Sequence, residues 1–262
     1  MGSMEGKVVL VTGASRGIGA SIAQRFAAEG AAVAVTARTR AEGDHPLPGS
    51  LEATVASIQA AGGRALPLVA DLAKAAERSE LVEQVERTLG PIDVLVNNAA
   101  ITWFGPVDAF REDHWRLMFE VQVRAPFELA QRVLPGMRKK GRGWILNISS
   151  AAAMHPKGPP YRRGLAGGTV YGMCKAALER FTTGLAAEVH ADGIAVNVLS
   201  PAGLVLTPGA VHHELDRLIP KEHHEPMEVM VAAAHALCTG DPAQLTGRVA
   251  YATPLVRELG VE

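Results

Sequence analysis

Apolar and polar positions follow two different periods along this chain. Near-continuous apolar runs occupy residues 7–12, 32–37, 65–70, 92–97, 144–148 and 194–199. Runs this short, bounded by Gly or polar residues, read as strands buried on both faces. Between them the apolar residues fall three and four apart. Ile18, Ile22, Ala23 and Phe26 share one helix face, which stops near Gly30. Helical spacing also covers 50–61, 73–89, a long stretch from about 111 to 138, 171–189 and 227–238. Residues 248–252 read as a seventh strand. Three polar stretches rich in Pro and Gly interrupt the pattern at 38–50, 151–169 and 201–226, the last with room for one short helix.

Strands alternating with helices give βαβ units, hence an α/β chain with a doubly wound, seven-stranded parallel sheet flanked by helices. No composition shift or linker divides the sequence, so residues 4–262 are expected to form a single domain. Residues 1–3 read as a vector-derived scar before a native Met4. Ligands of open α/β sheets bind at the carboxyl ends of the strands. The long loops near 151–169 and 203–226 follow late strands and are therefore the expected walls of a substrate pocket.

Charge and cysteine content narrow the function. Of 262 residues, 26 are Lys or Arg and 27 are Asp or Glu, a net charge of −1. Such a balance offers no basic surface to a nucleic-acid backbone or a membrane. Cys174 and Cys238 are too few for a disulfide framework, so a reduced, cytoplasmic setting is expected. No apolar run is long enough to span a bilayer. The pairs His212-His213 and His223-His224 lack a Cys partner and read as loop histidines, not metal ligands.

The first strand runs directly into Thr12-Gly13-Ala14-Ser15-Arg16-Gly17-Ile18-Gly19 and then a helix. Gly13 permits the tight turn, Gly17 a close approach of backbone to a pyrophosphate, and Gly19 close packing of helix on strand. The helix N-terminus adds free N–H groups and a positive dipole end. At the end of the second strand, where a carboxylate would bond the ribose of NAD, the chain reads Thr36-Ala37-Arg38. Arg38 and Arg16 suit a 2′-phosphate through bidentate geometry. NADP(H) is therefore favoured, with NAD(H) as the alternative if Glu42 or Asp44 turns back to a ribose. Tyr171 and Lys175 stand four apart, on one helix face. A tyrosine hydroxyl titrates near ~10 in water, and a nearby ammonium is expected to lower it and suit it to proton transfer.

These residues resemble the short-chain dehydrogenase/reductase family, of the single-domain, Rossmann-like type. Asn97-Asn98-Ala99-Ala100 resembles its N-N-A-G motif, Tyr171-Gly172-Met173-Cys174-Lys175 its Y-x-x-x-K motif, and Leu146-Asn147-Ile148-Ser149-Ser150 the strand end bearing its serine. The resemblance implies that Tyr171 is the acid/base, that Lys175 tunes it and holds the nicotinamide ribose, and that Ser150, in preference to Ser149, orients the carbonyl. It places Asp71 against the adenine, with Leu72 beside it. Ser15, Ile18, Asn98, Ala99 and Ala100 join the cofactor wall, as do Pro201, Gly203 and Thr207 later in the chain. It also implies pairing of the helices near 111–138 and 171–189 between subunits, as a homotetramer or a dimer.

The pattern departs from the family at identifiable places. Gln122 stands where the family carries an Asn that holds a water on the proton path. Ser150 and Tyr171 lie 21 positions apart, wider than usual, which enlarges the loop between them. Ala100 closes the N-N-A motif in place of Gly, Pro201-Ala202-Gly203 replaces Pro-Gly, and the C-terminal region lacks the common D-G-G. Trp103, Phe104, Met154 and His155 are candidate pocket residues and suggest a bulky or apolar carbonyl compound. Lys157, Arg162 and Arg163 read as solvated loop charges. The expected activity is interconversion of a carbonyl compound and an alcohol with NADP(H). The alternatives are an NAD-dependent alcohol or hydroxysteroid-type dehydrogenase, and a weakly active nucleotide-binding sensor.

Overall fold

The computed structural model describes residues 2–159, 161 and 167–261. Its strands are β1 (Val8–Thr12), β2 (Ala32–Ala37), β3 (Arg64–Val69), β4 (Val94–Asn97), β5 (Gly143–Ile148), β6 (Ile194–Ser200) and β7 (Val249–Tyr251). They pair in parallel as one seven-stranded sheet in the order β3-β2-β1-β4-β5-β6-β7. Val9 pairs with Val33 on one side and Val94 on the other, so β1 sits where the strand order reverses. A crevice opens beyond the strand ends at that point.

Successive strand residues point to opposite faces, and both faces are covered. Val9, Val11, Val33 and Val35 pack under α1 (Gly17–Ala28), α2 (Leu51–Ala60), α9 (Met227–Thr239) and α10 (Ala252–Leu259). Val8, Leu10, Leu95 and Ile145 pack under α3 (Ala75–Leu89), α5 (Ala125–Lys140) and α6 (Thr169–Val189). This two-sided burial is why the strands read as near-continuous apolar runs. β3 is the exception, with an exposed edge that accommodates Pro67.

The sequence is corrected in three places. The helix expected over 111–138 is three pieces: α4 (Glu112–Phe119), a π-helical turn (Glu120–Arg124) and α5. Pro126 has no N–H to give to the Gln122 carbonyl, so the ladder of hydrogen bonds breaks there. The strand expected at 248–252 ends at Tyr251 and is followed by α10. Ala252, Leu255, Val256 and Leu259 pack on the sheet at helical spacing. The 201–226 stretch holds α7 (Pro208–His212), α8 (Leu215–Leu218) and a single 3-10 turn (Lys221–His223) in place of one short helix.

Ser3, ahead of Met4, lies on the fold. Met4 is fully buried and donates its N–H to the Glu29 carbonyl at 3.0 Å. The Ser3 hydroxyl bonds Glu29 at 3.0 Å and His235 at 2.6 Å.

Candidate active site

A cleft of about 1860 Å³ runs along the carboxyl ends of the strands. The glycine turn, the ends of β2, β4, β5 and β6, the first turns of α6 and the segment after β6 line it. All the sequence-predicted cofactor residues except Gly19 line this cleft, as do Ser150, Tyr171 and Lys175. Gly19 and Gln122 are packed behind it.

Thr12 organises the glycine turn. Its hydroxyl donates to the Val96 carbonyl at 3.2 Å and accepts from the N–H groups of Asn98 and Ala99 at 3.0 and 3.1 Å. The Asn98 amide donates to the carbonyls of Thr12 and Gly13 at 2.9 and 3.1 Å. A Cβ on Gly13, where φ is +66°, would lie 2.7 Å from the Ala99 Cα. A Cβ on Gly19 would run into the Asn98 amide. Gly17 has φ +57° and faces Thr207, whose hydroxyl caps α7 by accepting from the Ala210 N–H at 3.1 Å.

No side chain caps the start of α1. Its first-turn N–H groups and the glycine cradle therefore face the cleft, and this donor set fits the diphosphate of a dinucleotide. Asp71 is half-buried at the end of β3, and its carboxylate accepts from the Ala73 N–H at 3.0 Å. The Leu72 carbonyl beside it accepts from the wholly buried Arg78, which also pairs with Glu128 at 2.7 Å.

The two arginines differ in their surroundings. Arg16 donates to the carbonyls of Pro48 and Gly49 and to the Thr39 hydroxyl, at 2.9, 2.7 and 3.1 Å. Arg38 is exposed, lines the cleft and has no hydrogen bond or ion pair among the described residues. Glu42 and Asp44 accept from backbone N–H groups of their own loop, Gly49 for the first and Arg40 and Ala41 for the second.

β5 and α6 bring the other candidates together. Ser149 is buried, and its hydroxyl donates to Glu179 at 2.9 Å. Ser150 is left facing the cleft beside Tyr171. Lys175 is 3% exposed and donates to the Ile148 carbonyl at 2.9 Å. Its ammonium lies 5.6 Å from the centre of the Tyr171 ring.

Burial holds the Tyr171 phenol above its ordinary value, and the neighbouring Ser150 hydroxyl works against that rise. Burial draws the Lys175 ammonium down to about 8. The phenol thus stands above its ordinary value, not below it as expected, with loss of water the largest cause and the Lys175 ammonium directed at the Ile148 carbonyl. Cys174, next to Lys175, packs with Met118 and Val170, and burial pushes its thiol up to about 11.

Gln122, in the π-helical turn, is 1% exposed and donates its amide to the Ile101 carbonyl at 2.9 Å. Its side-chain carbonyl has no partner among the described residues. The extra methylene thus reaches the strand-end loop that carries the N-N-A motif.

One pocket residue and one residue behind the cleft escaped the sequence reading. Phe104, named there, sits edge-on to Tyr171 at 6.1 Å and to His213 at 5.2 Å. His213 had only a pair pattern to mark it. Glu225 had none. It is 5% exposed, and its carboxylate accepts from the N–H groups of Ala202 and Thr253 at 2.8 and 3.0 Å, closing the base of the 203–225 segment. Arg162 and Arg163 lie outside the described residues.

No helix among the described residues is long and apolar enough to cross a membrane. The family model described as short chain dehydrogenase matches residues 7–216. The short-chain reductase protein NovJ of Streptomyces niveus is 36% identical over 247 residues, covering 93% of this chain and 86% of NovJ. A short chain dehydrogenase of Pseudocercospora fijiensis is 36% identical over 235 residues, covering 87% of this chain and 69% of its own. Among solved structures, a blue fluorescent protein from a metagenomic library in complex with NADPH has a TM-score of 0.78 and 36% identity, covering 94% of this chain and 95% of that one. With the strand order and the cleft already described, these matches establish that the chain belongs to the short-chain dehydrogenase family, as an oxidoreductase with an NAD(P)-binding fold.

Proposed function

We propose that this enzyme interconverts a ketone or aldehyde and its alcohol with NADP(H). One observation carries the reading: Ser150, Tyr171 and Lys175 meet in the cleft while the Ser149 hydroxyl is engaged by Glu179. When bound, the dinucleotide supplies the hydride. The chain's own residues handle the carbonyl oxygen. The Ser150 hydroxyl donates to that oxygen and orients it. Tyr171, held protonated by burial, gives it a proton, and Lys175 stabilises the phenolate that remains. Gln122 is a positioning residue that fixes the loop after β4 through Ile101.

Arg38 supports NADP(H) over NAD(H). It has no partner among the described residues at the end of β2, where no carboxylate stands, and Glu42 and Asp44 are held within their own loop. The likeness to a protein crystallised with NADPH favours the same choice. The 203–225 segment and the loops after β4 and β5 form the substrate wall. Trp103, Phe104, Met154 and His213 give it an apolar, aromatic character suited to a bulky carbonyl compound.

A second groove of about 930 Å³ lies across α4, α5 and α6. Trp115, Phe119, Phe127 and Phe181 line it, which supports pairing of this face between copies in a dimer or tetramer. Two buried free thiols suit a reduced, cytoplasmic setting.

A paired fluorescence titration with NADPH and NADH tests the cofactor assignment. NADPH is expected to bind at least about tenfold tighter, ~1.4 kcal/mol. Equal or tighter NADH binding overturns it.

A further inference from the structure

The segment between β2 and α2 is folded onto the glycine turn as a strap. Arg16 holds it through Pro48, Gly49 and Thr39. Gly49 has φ +101°, and a Cβ there would lie 2.7 Å from the Ser15 carbonyl oxygen and 2.8 Å from the Arg16 Cβ. The strap therefore sits flush on the turn that faces the diphosphate. Glu42 closes it by accepting from the Gly49 N–H at 3.1 Å.

The strap carries His45 into the cleft wall, on the same side as Arg38. His45 Nδ1 accepts from the Leu47 N–H at 3.0 Å and faces Arg16 Nη1 at 3.5 Å. A ring nitrogen that accepts from a backbone N–H carries no proton, so this contact assigns the proton to Nε2. The Nε2–H has no partner among the described residues. The groups around the ring are the guanidinium groups of Arg16, in the glycine turn, and Arg38, just past β2, together with the His212 ring of α7. Glu42, on the strap itself, faces Arg16. Burial and these charges hold the imidazole below its ordinary value, so it is neutral at pH 7.

We propose that His45 is a specificity-determining ligand for the phosphomonoester on the adenosine ribose of NADP(H), donating Nε2–H to a phosphate oxygen beside Arg38. The proposal rests on the NADP(H) reading above. A phosphomonoester dianion is an acceptor with no donor of its own at neutral pH, and it meets here a fixed donor within a rim of positive charge. A ribose hydroxyl in its place carries no charge and gains little from that rim. A second proton would have to enter at Nδ1, which already accepts from the Leu47 N–H and faces Arg16, so the ring stays neutral and donates from Nε2 alone.

Fluorescence titrations of wild type, His45→Ala and His45→Gln with NADPH and NADH at pH 8 test this. His45→Ala is expected to weaken NADPH about tenfold and NADH less than about twofold. His45→Gln keeps an N–H donor at the same reach and is expected to restore most of the NADPH affinity. Equal weakening of both cofactors would overturn the proposal, because it would assign His45 to the shared diphosphate or to support of the strap. Unchanged NADPH affinity in His45→Ala overturns it as well. Failure of the underlying reading is separately visible, since wild type would then show no preference for NADPH.

Discussion

The glycine turn and the β5–α6 corner face the same cleft but are built differently. In the turn, hydrogen-bonding capacity is consumed internally. Thr12 alone holds three backbone groups, and the Asn98 amide holds two more. What the turn presents to a ligand is backbone. At the corner, anchoring falls to Ser149 and Lys175, while the Ser150 hydroxyl, which accepts from the Ala152 N–H at 3.2 Å, lies beside the Tyr171 phenol facing the cleft. Under the proposed function, binding rests on rigid backbone and chemistry on side chains whose neighbours are tied down. Substitutions in the two regions should therefore separate stability from turnover.

The largest effect should come from Ser150→Ala. Turnover is expected to fall about 10²- to 10³-fold, the scale for one donor at a developing oxyanion, with stability unchanged within about 0.5 kcal/mol. Steady-state kinetics and a denaturant titration read the two quantities on one sample. Thr12→Val should behave oppositely. It strands the N–H groups of Asn98 and Ala99 and should cost about 2–3 kcal/mol of stability by chemical denaturation.

Lys175 predicts a pH limb. Its ammonium, drawn down to about 8 by burial, is charged below that pH and neutral above it. The phenolate left by proton transfer loses its stabilising charge as pH rises, so kcat/KM for carbonyl reduction should be flat below about pH 8 and fall above it. In Lys175→Met that limb should vanish together with most of the activity. The smallest effect should come from Gln122→Asn. The shorter amide cannot reach the Ile101 carbonyl, and about 1 kcal/mol of stability should be lost in thermal unfolding, with a modest fall in turnover.

Much of this was legible in the chain. Two-sided burial makes strands into apolar runs, so β1, β2 and β4 to β6 were read within two residues of their ends. The Gly13–Gly19 spacing and the Tyr171–Lys175 pair marked the glycine turn and the β5–α6 corner that face the cleft. What escaped depended on long-range packing. The π-helical turn arises from Pro126 together with a buried amide reaching 21 residues back to Ile101. The helix α10 carried a helical period, yet the preceding apolar residues blurred into it as a strand. The clamp of Arg16 on the 39–49 strap had no local signature, because two of its three acceptors are main-chain carbonyls. The direction of the Tyr171 shift depends on burial, which sequence spacing does not report.

The separation of binding from chemistry is tested most directly in Tyr171→Phe, by measuring NADPH affinity and single-turnover oxidation of bound NADPH by an aromatic ketone that wild type reduces. The account predicts affinity within about twofold of wild type and a turnover rate at least about a hundredfold lower. Turnover near the wild-type rate would contradict it.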